Sequence, residues 1–154
     1  MIHIVLIEPR IPQNTGNIGR LCVAAGARLH LIHPLGFSID EKALKRAGMD
    51  YWRVLDLREW KNLQEFWESH PFDHKHFLLS TKAKKIYYEA PFCRECFLYF
   101  GREDAGIDSG ILQTYAKQVY KIPMQKNIRS INLATSVGVV LYEAIRQNEI
   151  YLDF

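Results

Sequence analysis

The chain enters its last predicted helix through Ile122-Pro123-Met124 and then Arg129-Ser130-Ile131-Asn132-Leu133-Ala134-Thr135-Ser136-Val137. Apolar residues recur along it with the 3.6-residue period of a helix that packs on a core, namely Leu133, Val137, Val140, Leu141, Ala144 and Ile145. Ser130, Asn132 and Ser136 therefore bring hydrogen-bonding groups to the start of a buried helix, where those groups need partners. Because a bound polar ligand would supply such partners, this stretch predicts a binding site.

The rest of the sequence alternates continuous apolar runs with amphipathic segments, which is typical of an α/β protein with a mostly parallel sheet flanked by helices. We predict strands over 3–7, 28–32, 76–80, 97–100 and 118–122, with a further short strand near 52–55. We predict helices over 18–25, 41–47, 60–69, 109–116 and 131–147. Asp40 and Gly48 bound the second of these helices as an N-cap and a C-terminal stop.

Composition indicates one globular domain over residues 1–154, since 154 residues with 48% hydrophobic content can bury a single core. No apolar run approaches the roughly 20 residues of a membrane span. No signal-peptide pattern precedes the first strand, so we expect a cytoplasmic protein without a membrane partner. The net charge of +3 and the pI near 8.7 permit a polyanionic partner. They do not reach the pI above ~9 of a dedicated nucleic-acid module.

The cysteines and histidines predict no metal site. The chain has three cysteines, Cys22, Cys93 and Cys96, which are too few for a four-ligand zinc site. An odd number of cysteines also does not suit a secreted disulfide framework. The spacing of Cys93 and Cys96 suits redox chemistry, but this pair leads into a strand, whereas a thioredoxin-like motif opens a helix. We therefore favour structural thiols. None of the six histidines forms a helical pair at the four-residue spacing of zinc enzymes.

Two further polar, glycine-containing stretches follow apolar strands, namely Asn14-Thr15-Gly16-Asn17-Ile18-Gly19-Arg20 and Phe100-Gly101-Arg102-Glu103-Asp104-Ala105-Gly106. Ligands collect at the carboxyl ends of parallel strands, so the three stretches are expected to form one site. The sequence has no phosphate-binding P-loop, no dinucleotide fingerprint after the first strand and no nucleophile elbow. The absence of these motifs disfavours a phosphotransferase, a dehydrogenase or an α/β-hydrolase.

Single residues within these stretches carry their own predictions. The three-residue spacing of Asn14, Asn17 and Arg20 places them roughly on one helix face. Gly101 would let a planar ligand lie against the backbone, and Gly106 would permit a tight reversal. Glu103 is more consistent with shaping this loop than with acid–base catalysis alongside its neighbour, because adjacent residues rarely face each other.

Together, the three motifs resemble those of the SPOUT superfamily of RNA methyltransferases over nearly the whole chain. The resemblance is greatest to the small branch that methylates the ribose 2′-hydroxyl of the tRNA wobble nucleotide 34, a cytidine or a modified uridine. It implies a C-terminal trefoil knot, S-adenosyl-L-methionine as cofactor and S-adenosyl-L-homocysteine as product. It also implies a homodimer in which each site borrows residues from the partner, and the tRNA anticodon stem-loop as the RNA bound.

The resemblance implies a set of site residues. The cofactor-binding positions are Leu79, Thr81, Gly101, Ile122, Met124, Ser130 and Leu133. The catalytic positions are Arg20, Asn14, Ser130 and Asn132, and the RNA-binding positions are Arg20, Lys82, Arg129 and Tyr142. The family assigns activation of the hydroxyl to Arg20, but a guanidinium remains protonated and is a poor base. We expect Arg20 to bind phosphate and stabilise oxyanion charge, oriented by Asn14 and Asn132.

Several alternatives remain open at the level of sequence. Tyr142 either packs at the dimer seam or stacks on a nucleotide. Lys82, Lys84 and Lys85, with two tyrosines close behind, either contact RNA or form a solvated loop. For the whole protein, the alternatives are 2′-O-methylation of another tRNA or rRNA position and a non-catalytic RNA-binding protein with the same fold.

Overall fold

The computed structural model describes residues 1–40 and 50–149, and its described strands form one parallel sheet. The strands are β1 (Ile2–Ile7), β2 (Arg28–Ile32), β3 (Leu57–Trp60), β4 (His76–Leu79), β5 (Lys85–Ile86), β6 (Cys96–Phe100) and β7 (Val119–Lys121). Their order across the sheet is β3-β2-β1-β6-β4-β7-β5, and every pair of neighbours is parallel. The predicted α/β class with a mostly parallel sheet is confirmed.

The helices cover both faces of this sheet. They are α1 (Pro12–Ala25), α2 (Leu63–Ser69), α3 (Ser109–Thr114) and α4 (Leu133–Gln147), with short 3₁₀ turns at Asp50–Val54, Tyr87–Glu89 and Ala116–Gln118. Alternate residues of β1 serve different faces, because successive side chains of a strand point to opposite sides. Ile4 and Leu6 pack with α1 and α4, whereas Val5 and Ile7 pack with α2 and α3.

Helix α1 begins at Pro12, six residues before the predicted start at residue 18. Proline suits the first turn of a helix, since its missing N–H would have no partner there. The N-cap residue Ile11 makes no side-chain capping bond, so the usual sequence signal for a helix start is absent. The first motif is therefore helical, and its two glycines do not interrupt the helix.

The segment after residue 50 differs from the prediction. The strand expected near 52–55 is a 3₁₀ turn, and β3 follows it at Leu57–Trp60. Trp60 ends that strand and does not begin a helix; α2 starts later, after Asn62, whose Oδ1 accepts a hydrogen bond from the Glu65 amide at 2.8 Å. The two-residue strand β5 was not predicted. The helix predicted over 41–47 lies outside the described residues.

The other predicted elements agree with the structure to within two residues at each end. Burial raises the pKa of the Cys22 and Cys96 thiols to about 12, so both are unreactive structural groups. Within the described residues, no group of three or more histidine, cysteine or acidic side chains is placed to hold a metal ion. Among the helices described here, none is both long and apolar enough to cross a membrane.

Candidate active site

A cleft of about 630 Å³ lies at the carboxyl ends of β1, β6, β4 and β7, four strands that are neighbours in the sheet. This volume is within the usual range for sites that bind small molecules and cofactors. The residues that line the cleft are Ile11, Asn14, 79–82, 100–107, Ile122, Met124, 129–133 and Ser136. All three polar motifs therefore meet at one cleft, as their positions after the strands predicted.

Glu103 fixes the start of α1 against the loop that follows β6. Its carboxylate accepts hydrogen bonds from the backbone N–H groups of Arg10 at 2.8 Å and Ile11 at 3.0 Å. It also accepts one from Asn14 Nδ2 at 3.4 Å. A carboxylate 92 residues further along the chain than Ile11 thus fixes the two residues that precede α1. The interpretation of Glu103 as a loop-shaping residue agrees with these bonds.

Asn14 and Asn132 join the first motif to the third. Asn132 Nδ2 donates to Asn14 Oδ1 at 2.9 Å, and Asn132 Oδ1 caps α4 by accepting from the Thr135 N–H at 3.2 Å. The Ser136 hydroxyl donates to the Asn132 carbonyl at 3.1 Å. The expectation that these polar groups need a ligand is therefore wrong for Asn132 and Ser136, because other parts of the chain satisfy them. Ser130 precedes the helix and is exposed.

Gly101 has a structural role within its own loop. A Cβ at this position would lie 2.1 Å from the Gly106 carbonyl carbon and 2.3 Å from the Ile107 nitrogen. The space beside Gly101 is therefore filled by the returning backbone of its own loop, although Gly101 still lines the cleft. Gly106 has a φ of 69° and exchanges backbone hydrogen bonds with Arg102, which confirms the predicted tight reversal.

Arg20 projects from α1 into solvent, close to Tyr51. Its guanidinium carbon lies 5.8 Å from the centroid of the Tyr51 ring, and the Tyr51 hydroxyl donates to the Gly16 carbonyl at 3.0 Å. Within α1, Asn14 is buried whereas Asn17 and Arg20 are exposed, and of these three residues only Asn14 lines the cleft. No hydrogen bond among the described residues joins Arg20 to either Asn14 or Asn132.

The carboxylates that line the cleft are already engaged in local contacts. The carboxylates are Glu103, which accepts the bonds described above, and Asp104, which receives two bonds from the Arg102 guanidinium at 2.7 and 3.0 Å. That guanidinium lowers the pKa of Asp104. Neither histidine nor cysteine occurs in this lining. The cleft thus offers aliphatic surface, hydroxyls and backbone groups, which suits binding and positioning better than acid–base chemistry.

Residues 1–142 match the family described as SpoU rRNA Methylase. The chain belongs to that family. It is 44% identical over 152 residues to a tRNA (cytidine(34)-2′-O)-methyltransferase of Yersinia pestis, covering 96% of this chain and 94% of that one. It is 42% identical over 148 residues to the enzyme of the same name from Aeromonas hydrophila, with 96% and 94% coverage.

A solved structure concerning the 2-OH methylation of C/U34 on tRNA superposes with a TM-score of 0.89. Its sequence is 44% identical, and the match covers 96% of this chain and 95% of that chain. The resemblance to SPOUT methyltransferases that the three motifs indicated is confirmed by these matches.

Most positions implied by membership of this family fall at the cleft. All seven implied cofactor-binding residues line it, as do Asn14 and Asn132 of the catalytic set and Lys82 and Arg129 of the RNA-binding set. Arg20 and Tyr142 lie outside the lining, and the Tyr142 side chain is 44% exposed. Sequence reasoning did not foresee that Glu103 and Asn14 would be bonded, because no local pattern signals a contact between residues so distant in the chain.

Proposed function

We propose that this protein is a tRNA methyltransferase that transfers a methyl group from S-adenosyl-L-methionine to the ribose 2′-hydroxyl of the wobble nucleotide 34, a cytidine or a modified uridine. The observation that carries the proposal is the meeting of all three motifs at one cleft, with Glu103, Asn14 and Asn132 bonded in a chain between them. The similarity over nearly the whole chain to relatives named for this reaction supports the same assignment.

The chemistry of the cleft fits the cofactor. Leu79, Ile122 and Leu133 supply aliphatic surface suited to an adenine ring. The backbone N–H groups of Met124 and Ser130 donate no hydrogen bond to another described residue, so they remain available to a polar ligand. When bound, S-adenosyl-L-methionine supplies a sulfonium methyl group that is open to attack by an oxygen nucleophile. A C-terminal trefoil knot, as the family resemblance implies, would enclose this cofactor.

Catalysis in this proposal rests on positioning. The residues of the cleft would hold the ribose 2′-hydroxyl beside the methyl donor, and solvent would take up the hydroxyl proton. The hydrogen bond between Asn14 and Asn132 holds the first and third motifs together, and this would position the ribose hydroxyl for the transfer. Arg20 binds the adjacent phosphate through its planar guanidinium and stabilises the charge that develops on the oxygen.

A cytosolic homodimer would complete the site. Arg20 and Tyr142 are exposed and lie outside the cleft of their own chain. A second copy of the chain could bring the partner subunit's Arg20 to the cleft, so that each site would combine a cofactor pocket from one protomer with a phosphate-binding group from the other. The dimer would then hold the tRNA anticodon stem-loop.

Incubation with labelled S-adenosyl-L-methionine and bulk tRNA that lacks the modification tests the proposal directly. We expect label on the ribose of nucleotide 34, mapped by nuclease digestion and mass spectrometry. Label on a base, on another tRNA position or only on ribosomal RNA would contradict it. Isothermal titration with S-adenosyl-L-homocysteine addresses the non-catalytic alternative, since an RNA-binding protein that keeps the fold without the cofactor would release no heat.

A further inference from the structure

A second groove, of about 560 Å³, lies on the face of the sheet covered by α3. Its floor is apolar and consists of Ala83, Leu112 and Val119, which are 9%, 9% and 6% exposed. These side chains come from the segment after β4, from α3 and from β7 respectively. The floor is therefore built from three packed elements and is not the surface of a single loop.

Four lysines surround this floor, namely Lys82, Lys84, Lys85 and Lys117. Lys85 is anchored, because its ammonium donates to the Lys117 carbonyl and lies 4.4 Å from the centroid of the Tyr120 ring. The other three ammonium groups are exposed and make no hydrogen bond or ion pair to any residue in 1–40 or 50–149. We call these residues and their floor the lysine groove.

Among the residues that the structure describes, none of those lining the lysine groove is acidic. Asp108 precedes the lining residue Ser109, but its carboxylate is occupied as the N-cap of α3, accepting from the Gly110 and Ile111 amides. Unpaired ammonium groups around one groove produce a positive potential, which attracts an anionic partner. An apolar floor with a cationic rim matches a single-stranded nucleic acid, which combines apolar base faces with phosphates.

The lysine groove is continuous with the candidate active site. Lys82 follows Leu79 at the end of β4 and lines both the cleft and the groove. An RNA strand whose ribose lies at the cleft would therefore reach the groove with its neighbouring nucleotides. This continuity favours RNA over an unrelated acidic protein as the occupant.

We propose that the lysine groove binds the sugar-phosphate backbone of the substrate tRNA next to the methylated nucleotide, with one unstacked base on the floor of Ala83, Leu112 and Val119. Lys84 and Lys117 contact phosphates, and Lys82 bridges the groove and the methyl-transfer site. This inference rests on the proposed function, since it names further contacts of the same RNA substrate.

The test compares two double variants with equal loss of charge. Lys84→Ala with Lys117→Ala removes two rim charges, whereas Arg58→Ala with Lys61→Ala removes two charges beside β3 at the opposite edge of the sheet. Affinity for unmodified tRNA is measured by fluorescence anisotropy at several salt concentrations. We expect the groove variant to bind tRNA about tenfold more weakly. The slope of log affinity against log salt concentration should fall in magnitude by about 1.4, roughly 0.7 for each phosphate contact on a single strand. The control pair should match the wild type.

Each remaining outcome is decisive. Equal tRNA affinity and salt slope in the two variants would overturn the groove proposal, while methylation by the wild type would leave the proposed function intact. A parallel fall in S-adenosyl-L-homocysteine affinity would also overturn it, since the lysines would then act through the cleft.

Weaker binding of polyglutamate by the groove variant, with unchanged tRNA affinity, would assign the groove to an acidic protein. Failure of the wild type to methylate tRNA would instead contradict the proposed function.

Discussion

Gly101 shows how a single missing side chain permits the geometry of the candidate active site. In Gly101→Ala the new Cβ would meet backbone atoms of Gly106 and Ile107 at 2.1 and 2.3 Å, which no side-chain rotation can relieve. We expect a loss of about 1–3 kcal/mol of unfolding free energy, as for other overpacked sites, together with weaker S-adenosyl-L-homocysteine binding. Urea unfolding and calorimetric titration measure the two effects.

Gly138→Ala provides the matched control for this substitution. A Cβ at Gly138 would lie 3.6 Å from Leu21 Cδ2, an ordinary van der Waals contact. Alanine is also the better helix former, so we expect this variant to be as stable as the wild type or more stable, by up to about 1 kcal/mol. Equal behaviour of the two variants would show that the loop around Gly101 can open without cost.

Arg20 carries a second prediction at the scale of the residue. In Arg20→Lys the charge remains, but the planar fork that can hold a phosphate through two bonds is lost. We expect kcat with tRNA to fall by about 10- to 100-fold, which corresponds to roughly 1.4–2.7 kcal/mol of transition-state stabilisation. Affinity for S-adenosyl-L-homocysteine should be unchanged, because Arg20 is proposed to contact an RNA phosphate and not the cofactor. Full turnover by the lysine variant would show that a point charge is sufficient.

At the scale of the elements, Glu103 is the carboxylate that connects α1 with the loop after β6. Glu103→Gln would replace one acceptor oxygen by an amide that faces the N–H groups of Arg10 and Ile11. A hydrogen bond to a charged group contributes about 1.5–3 kcal/mol, and because these bonds are partly exposed we expect a loss near the lower end of this range by urea unfolding. Asp104→Asn is the control, since its pair with Arg102 is exposed to solvent and should contribute little to stability. Equal losses in both variants would argue against a connecting role.

The same contact shows where prediction from sequence succeeded and failed. The strands β1, β2, β4, β6 and β7 were predicted well, because a buried parallel strand appears in sequence as a continuous apolar run. The start of α1 was missed because the carboxylate that accepts from the Ile11 N–H belongs to Glu103. That residue is distant in the chain and leaves no local signal. The short edge strands β3 and β5 were missed because their exposed residues lack such a run. The site residues followed from family resemblance, whereas their mutual hydrogen bonds required the folded chain.

On the scale of the whole molecule, the face of the sheet opposite α1 and α4 buries histidines in its core. Trp60 Nε1 donates to His30 Nδ1 at 3.0 Å, so His30 carries its proton on Nε2 and donates to His3 Nδ1 at 2.9 Å. On the same face, the Tyr99 hydroxyl accepts from Trp67 Nε1 at 3.0 Å, which leaves its own proton to be donated to His76 Nδ1 at 2.6 Å. These bonds hold all three imidazoles in the neutral form.

This arrangement predicts that stability declines in mild acid. Burial lowers the pKa of His3 and His76 to about 4 and that of His30 to about 2, from an ordinary value of 6.5. Below pH 6.5 the unfolded chain therefore binds protons that the native protein excludes. The contribution of these histidines is complete above pH 6.5 and is lost as the pH falls towards 4. Each should reduce the unfolding free energy by up to about 1.4 kcal/mol per pH unit.

Urea unfolding between pH 5 and 7.5 measures this slope in a range where the native carboxylates remain ionised. His76→Gln tests the origin of the slope, because glutamine can accept the Tyr99 hydroxyl bond and yet cannot take up a proton. At the lower end of this range, the slope of its unfolding free energy against pH should be smaller than that of the wild type by about 1.4 kcal/mol per pH unit, which corresponds to the uptake of one proton. If the wild type kept a constant unfolding free energy from pH 7.5 to 5, the buried imidazoles would have to be protonated in the native state, and the tautomers assigned from their hydrogen bonds would be wrong.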